Sequence, residues 1–178
     1  MPYQHFTTPL GICAVAWSDH GLTRVLIAEP SLEDITRRLS DNLDQTNEQV
    51  PPFVHRAVNT LSAYFAGEDV SMDDITLDVS RLSPFRSSIY RMLRNVPRGT
   101  TTTYGELATR LDKPGAARAI GIAMGENPWP VVVPCHRVLA SGGDIGGFSA
   151  HGGVRTKRQL LRLEGVQIPA PVIRDLFD

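Results

Sequence analysis

The chain has 178 residues, 42% of them hydrophobic, with 18 Lys/Arg against 19 Asp/Glu and a formal net charge of −1. That length buries a core without cross-links and holds one domain or two small ones, and a net charge so close to zero makes no case by itself for a polyanionic partner. Two cysteines without a C-x-x-C spacing exclude a disulfide framework, and the lack of any apolar run near ~18 residues excludes a membrane span.

The distribution of charge says more than its sum. Residues 1–80 carry four Lys/Arg and twelve Asp/Glu, which leaves fourteen and seven for residues 81–178. Such an asymmetry is expected when only one half of a protein meets a polyanion. The N-terminus lacks a basic stretch followed by an apolar one, so the expectation is a cytoplasmic, nucleoid-associated monomer with free thiols, no leader and no membrane contact.

In chain order, "GICAVAWSDHGLTRVLIAE" predicts a β-hairpin, two apolar runs around "SDHG" with Gly21 free to take positive φ. "PSLEDITRRLSDNL" predicts an amphipathic helix: Pro30 and Ser31 open it, Glu33 and Asp34 sit in the first turn, and Leu32, Ile35, Leu39 and Leu43 share a side. After the polar link "DQTNEQVPP", "FVHRAVNTLSAYFAGED" is again helical in period, with Val54, Ala57, Val58, Leu61, Tyr64 and Phe65 apolar. One strand is expected around Ile75 to Val79. These elements form an α/β domain over residues 1–80, a small antiparallel sheet with helices.

Beyond it, Ser83 caps and Pro84 opens a helix through "FRSSIYRMLRNV", stopped by Pro97 and Gly99. "TTTYGELATRLDKPGAARAIGIAMGENPWP" then reads as a helix, a break at Lys113 to Gly115, and a second helix from Ala116 to Met124. Two short helices around a tight turn, inside the basic half, have the form of a helix-turn-helix. Pro128 and Pro130 end that pattern, the valine run after them prefers extended structure, "ASGGDIGG" is turn material, and "GVRTKRQLLRLEG" is a last helix with Gly165 as its stop. Residues 81–178 are therefore expected to form a mostly α, winged-helix domain.

Chemistry centres on "PCHRV". Cys135 can be an inert buried thiol, a metal ligand or a nucleophile. Adjacent Cys and His on an extended chain point to opposite faces, so no metal site is expected there or at Cys13 with His5 or His20. As a nucleophile Cys135 needs a base, and His136, directed away along a strand, would reach it through a bridging water.

"NPWPVVVPCHRV", with "TYGELA" and "AARAIGIAMGENP" upstream and "GGFSAHGGVRTKRQLLRLEG" downstream, resembles the O6-alkylguanine-DNA alkyltransferases (methylated-DNA–protein-cysteine methyltransferases) over residues 84 to 165. The resemblance implies a ribonuclease H-like companion domain, and alkyl transfer from O6-alkylguanine, with O4-alkylthymine as a further substrate, to Cys135 in flipped-out duplex DNA. His136 would deprotonate Cys135 through water, Glu164 would polarise His136, and Asn127 would fix the turn before the active-site strand. Arg118 would fill the gap left by the flipped base, Tyr104 would press on the adjacent phosphate, and Ala117, Ala119 and Gly121 would let the helix approach DNA, with Arg137 as a further contact. Val138 (through its carbonyl), Phe148, Ser149, Lys157 and Trp129 would form the base pocket. No cofactor and no metal are implied, and a thioether product makes the protein single-use.

The chain departs from the family where Phe148 replaces a common tyrosine, where the segment after it is longer and includes His151, and where Tyr90 replaces a common tryptophan. Two other readings remain open on the residues alone: a non-catalytic sensor of alkylated bases or winged-helix regulator, and a cysteine hydrolase using Cys135 and His136.

Overall fold

A computed structural model describes residues 1–39 and 50–168. The N-terminal part is a three-stranded antiparallel sheet in the order β1 (Tyr3–Thr8), β2 (Gly11–Ser18), β3 (Gly21–Glu29), followed by helices α1 (Leu32–Leu39) and α2 (Pro52–Phe65). The predicted hairpin is β2–β3. Strand β1 was not expected from the sequence. Leu43, placed by periodicity on the α1 face, lies outside the described residues.

The unbroken apolar run in β2 has a structural reason, since both faces of the sheet are covered. Cys13, Val15 and Trp17 point into the main core with Val54, Leu61 and Tyr64 of α2, whereas Ala14 and Ala16 pack with Leu26, Ile35 and Leu39 beneath α1. The expected strand at 75–79 is reduced to one bridge between Leu22 and Leu77. Arg94 Nη2 donates to the carbonyls of Met72, Asp73 and Ile75, at 2.6, 3.1 and 3.3 Å, so acceptors in this segment are taken by a guanidinium rather than a second strand. Gly21, at φ +138°, is required where this segment meets the sheet: a Cβ there would lie 2.8 Å from the Thr76 carbonyl oxygen.

The second half contains α3 (Pro84–Arg94), β4 (Thr102–Thr103), α4 (Tyr104–Arg110), α5 (Ala117–Gly125), β5 (Val138–Leu139) and α6 (Val154–Leu163). Ser83 caps α3 by accepting from Arg86 N, and Thr103 with Glu106 forms a capping box at the start of α4. Gly165, at φ +80°, closes α6, where Val166 N reaches back to Leu161 O at 2.9 Å. Helices α4 and α5 form the helix-turn-helix, and β4 pairs with β5 in parallel. One core runs through both halves, with Ile89, Leu93, Ile120, Trp129, Val133 and Leu160 in the same cluster as the N-terminal residues. Among the described residues no helix is long and apolar enough to cross a membrane.

Candidate active site

The segment between α5 and β5 is fixed by Asn127, buried just past the end of α5. Its Oδ1 accepts from Trp129 N at 3.0 Å, and its Nδ2 donates to Val133 O at 2.8 Å and to Cys135 Sγ at 3.1 Å. One amide thus folds the turn and supplies a donor to the thiol. The turn is strained: Val131, a β-branched residue, sits at φ +75° and is held there by Val133 N donating to Trp129 O at 2.8 Å.

Cys135, His136 and Arg137 occupy a 3-10 turn rather than the expected strand, with Arg137 N donating to Pro134 O at 2.9 Å. Pro130 and Pro134 cannot donate to a sheet ladder, so the valine run folds back instead of pairing. Cys135 Sγ meets Asn127, while the His136 ring turns to Glu164 and Tyr64.

Cys135 forms part of the floor of a cavity of about 390 Å³, within the ~300–1,000 Å³ usual for small-ligand pockets. Tyr104 of α4 and Gly121, Met124 and Gly125 of α5 line one side, and Gly147, Phe148 and Ser149 the other. A larger cleft of about 960 Å³ runs past Trp17, Phe53 and Trp129, but no cysteine or histidine lines it. Burial pushes the Cys135 thiol up, opposed by the Asn127 amide and the nearby Lys157 charge.

Behind the thiol lies a fully buried polar relay. His136 Nε2 is 2.8 Å from Glu164 Oε1, which makes Nε2 the protonated nitrogen and leaves Nδ1, buried and without a hydrogen-bond partner, as the basic one. Glu164 also accepts from Tyr64 Oη at 2.7 Å and, in a bidentate pair, from Arg137 Nη2 at 2.8 Å and Nε at 2.9 Å. Burial alone would raise the Glu164 carboxyl, yet the hydrogen bonds from His136, Arg137 and Tyr64 hold it well below the usual carboxylate range. Burial lowers His136, with Glu164 opposing, so the imidazole is neutral and able to accept a proton.

Several expected site residues sit differently in the structure. Arg137, expected as a DNA contact, is buried, grips Glu164, and donates through Nη1 to Val96 O at 2.5 Å. Trp129 does not wall the Cys135 cavity; it is 1% exposed, donates to Leu22 O at 2.7 Å and meets Tyr90 edge-on. The Val138 carbonyl accepts from Lys157 Nζ at 2.6 Å, which leaves its second lone pair for another donor, and Val138 does not line the cavity. Lys157, also off the wall, ties β5 to the cavity loop through Gly147 O at 3.3 Å, and burial pushes it down to about 8.

Phe148 and Ser149, expected in the pocket, line the cavity, and so do Tyr104 and Gly121, which were expected to face DNA. Arg118 and Ala119 are exposed on α5, with Ala117 half-buried beside them. Tyr64 escaped the sequence reading, because nothing in a helical period separates a core tyrosine from one that serves a carboxylate 100 positions away. Among the described residues no group of three or more His, Cys, Asp or Glu is placed to hold a metal ion.

Comparison with known proteins adds to this geometry. Residues 1–79 match the family model described as 6-O-methylguanine DNA methyltransferase, ribonuclease-like domain, and residues 84–166 that described as its DNA binding domain. A methylated-DNA–protein-cysteine methyltransferase of Mycolicibacterium paratuberculosis is 38% identical over 176 residues, covering 99% of this chain and 98% of its own. The crystal structure of Mycobacterium tuberculosis OGT in complex with DNA is similar with a TM-score of 0.73 at 35% identity, covering 93% of each chain. The O6-methylguanine-DNA methyltransferase of the hyperthermophilic archaeon Pyrococcus kodakaraensis strain KOD1 has a TM-score of 0.70 at 26% identity, covering 93% of this chain and 99% of that one.

Proposed function

The chain belongs to the 6-O-methylguanine DNA methyltransferase family, and on that premise we propose that it reverses alkylation damage directly, moving the alkyl group of O6-alkylguanine in duplex DNA onto Cys135. The observation that carries this reading is Cys135 itself: its sulfur accepts from Asn127 and opens on a base-sized cavity, with a neutral His136 and an ionised Glu164 sealed behind it. Residues 1–80 act as the companion domain, and residues 81–178 bind DNA as a monomer.

An alkyl group on a stacked base lies out of reach of a thiol set in a cavity, so the nucleotide must leave the duplex. Arg118, exposed on the first turn of α5, is placed to enter the stack and offset part of the unstacking cost, and the small residues Ala117, Ala119 and Gly121 allow the helix to come close. With the base in the cavity, a water between Cys135 and His136 Nδ1 carries the thiol proton to the imidazole, and Glu164 stabilises the imidazolium. The sulfur–carbon bond forms as the carbon–O6 bond breaks, and the electron pair leaves with the guanine oxygen. Phe148 supplies no hydroxyl, so Tyr104 and Ser149 are the hydroxyl-bearing residues on the cavity wall that can donate to the departing base.

Water does not cleave the resulting thioether, so each molecule acts once. Intact mass after incubation with excess O6-methylguanine duplex should rise by one methyl group, located on the Cys135 peptide, and Cys135→Ala should abolish the gain while retaining DNA binding. Repeated turnover would sink the proposal. Lesion binding without mass gain would make the protein a non-catalytic sensor instead.

A further inference from the structure

We propose that Tyr64 of the N-terminal domain is a positioning residue of the proton relay: its phenol occupies a lone pair of Glu164 Oε1 and so limits how strongly that carboxylate polarises His136. The inference rests on the reading of Cys135, His136 and Glu164 as the reacting relay.

The geometry is asymmetric. Oε1 of Glu164 takes three donors, His136 Nε2 at 2.8 Å, Arg137 Nη2 at 2.8 Å and Tyr64 Oη at 2.7 Å, whereas Oε2 takes only Arg137 Nε at 2.9 Å. Tyr64 and His136 therefore compete for electron density on the same oxygen, and Tyr64 Oη lies 3.4 Å from His136 Nε2. A phenol this deeply buried beside a carboxylate stays protonated and acts as a donor.

The phenol is held for that task. Its ring meets Phe65 edge-on with centroids 5.3 Å apart, and the Arg98 guanidinium lies over it at 5.2 Å. Arg98 is itself fixed by the carbonyls of Gly67, Glu68 and Leu163, which tie the end of α2 to the end of α6. The charged groups around the pair are Glu164, Arg137, Arg98 and Lys157, with the Cys135 thiol in front, all from residues 81–178; among the described residues Tyr64 is the polar group that residues 1–80 bring to the cluster. The companion domain thus reaches the chemistry through one hydroxyl.

The sign follows from charge. A donor on Glu164 draws negative charge away from the His136 Nε2–H bond, so removing it makes the carboxylate a stronger partner for the imidazolium and raises the basicity of His136. Y64F keeps the ring, the Phe65 and Arg98 contacts and the volume, and deletes only the hydroxyl. Transfer requires neutral His136, so its acid limb should move to higher pH. Titration of 13C-labelled His136 by NMR, which needs no DNA, should show its midpoint raised by about half to one unit in Y64F, a three- to tenfold change in proton affinity. The single-turnover acid limb should move in the same direction, and the shift should vanish when Y64F is combined with E164Q. His136 titrating alike in wild type and Y64F, or in neither, overturns the inference even if Y64F melts earlier. Failure of wild-type protein to take a methyl group from duplex would defeat the proposed function and leave the NMR comparison to decide the role of Tyr64.

Discussion

Replacing Arg137 with methionine keeps the length of a buried side chain while deleting its charge and its N–H donors. In the folded protein Glu164 Oε2 then has no donor, Oε1 loses one of three, and the Val96 carbonyl loses its guanidinium partner. Both members of the pair are buried, at 10% and 0% side-chain exposure, and removing one partner of a buried ion pair costs about 3–5 kcal/mol, because the remaining charge is left uncompensated. For a chain of this length ~1 kcal/mol shifts the melting temperature by roughly 2–4 °C, so R137M should melt about 6–20 °C lower.

The deficit should depend on pH. Glu164 is depressed in the fold, so its contribution is fully present above the ordinary carboxylate value of about 4.3 and is lost as the pH falls through the folded value. Without Arg137 burial wins, the carboxyl rises, and protonation relieves the uncompensated charge. The gap between wild type and R137M should therefore narrow as pH is lowered towards 4. Thermal melts from pH 4 to 8 measure it, and DNA affinity against salt concentration provides the second arm. A phosphate-contacting arginine would flatten the salt slope by about 0.9 when removed; a buried one leaves it unchanged. R137M that melts like wild type and binds DNA with a flatter salt slope would refute the assignment of Arg137 to the relay.

Two further outcomes follow from the same geometry. Asn127→Ala leaves Trp129 N and Val133 O without their buried partners and removes the donor to Cys135 Sγ; at about 1–3 kcal/mol per unsatisfied group, it should lower the melting temperature and slow single-turnover methyl transfer roughly tenfold or more, the factor given by ~1.4 kcal/mol. Arg118→Ala touches only an exposed side chain, so melting should be unchanged within the ~0.5 kcal/mol usual for surface sites, while transfer from duplex falls far more than transfer from single-stranded alkylated oligonucleotide.

The secondary structure was largely legible because it is written locally. Ser83 before Pro84 and Gly165 after "RLE" set helix ends that the structure reproduces to within a residue or two. Strand β1 was not, because "YQHFTT" is half-exposed and shows no clean alternation; its pairing is decided by β2, which supplies the partner for every residue from Tyr3 to Thr8. The expected strand at 75–79 failed for the opposite reason: its residues favour extension, but Arg94, nineteen positions on, takes the Ile75 carbonyl, and backbone pairing with the sheet is confined to Leu22, which bonds Thr76 O and Asp78 N.

In the site, the same division separates the residues that could be read from those that could not. Cys135 lies where prolines, an apolar run and a glycine-rich loop meet, so the chain itself points to it, whereas Asn127, Phe148 and Ser149 came only with the family resemblance. Arg137 was expected to face DNA because a charged residue in a basic domain is ordinarily exposed; its burial depends on Glu164, 27 positions away at the end of α6. Tyr64 depends on the same carboxylate across 100 positions and on the docking of the two halves. A carboxylate on one segment ringed by four donors from two others is a tertiary object, and none of the three carries it alone. Under the proposal for Tyr64, the charge on Glu164, and through it the basicity of His136, is set by side chains from both halves of the chain rather than by residues 81–178 alone.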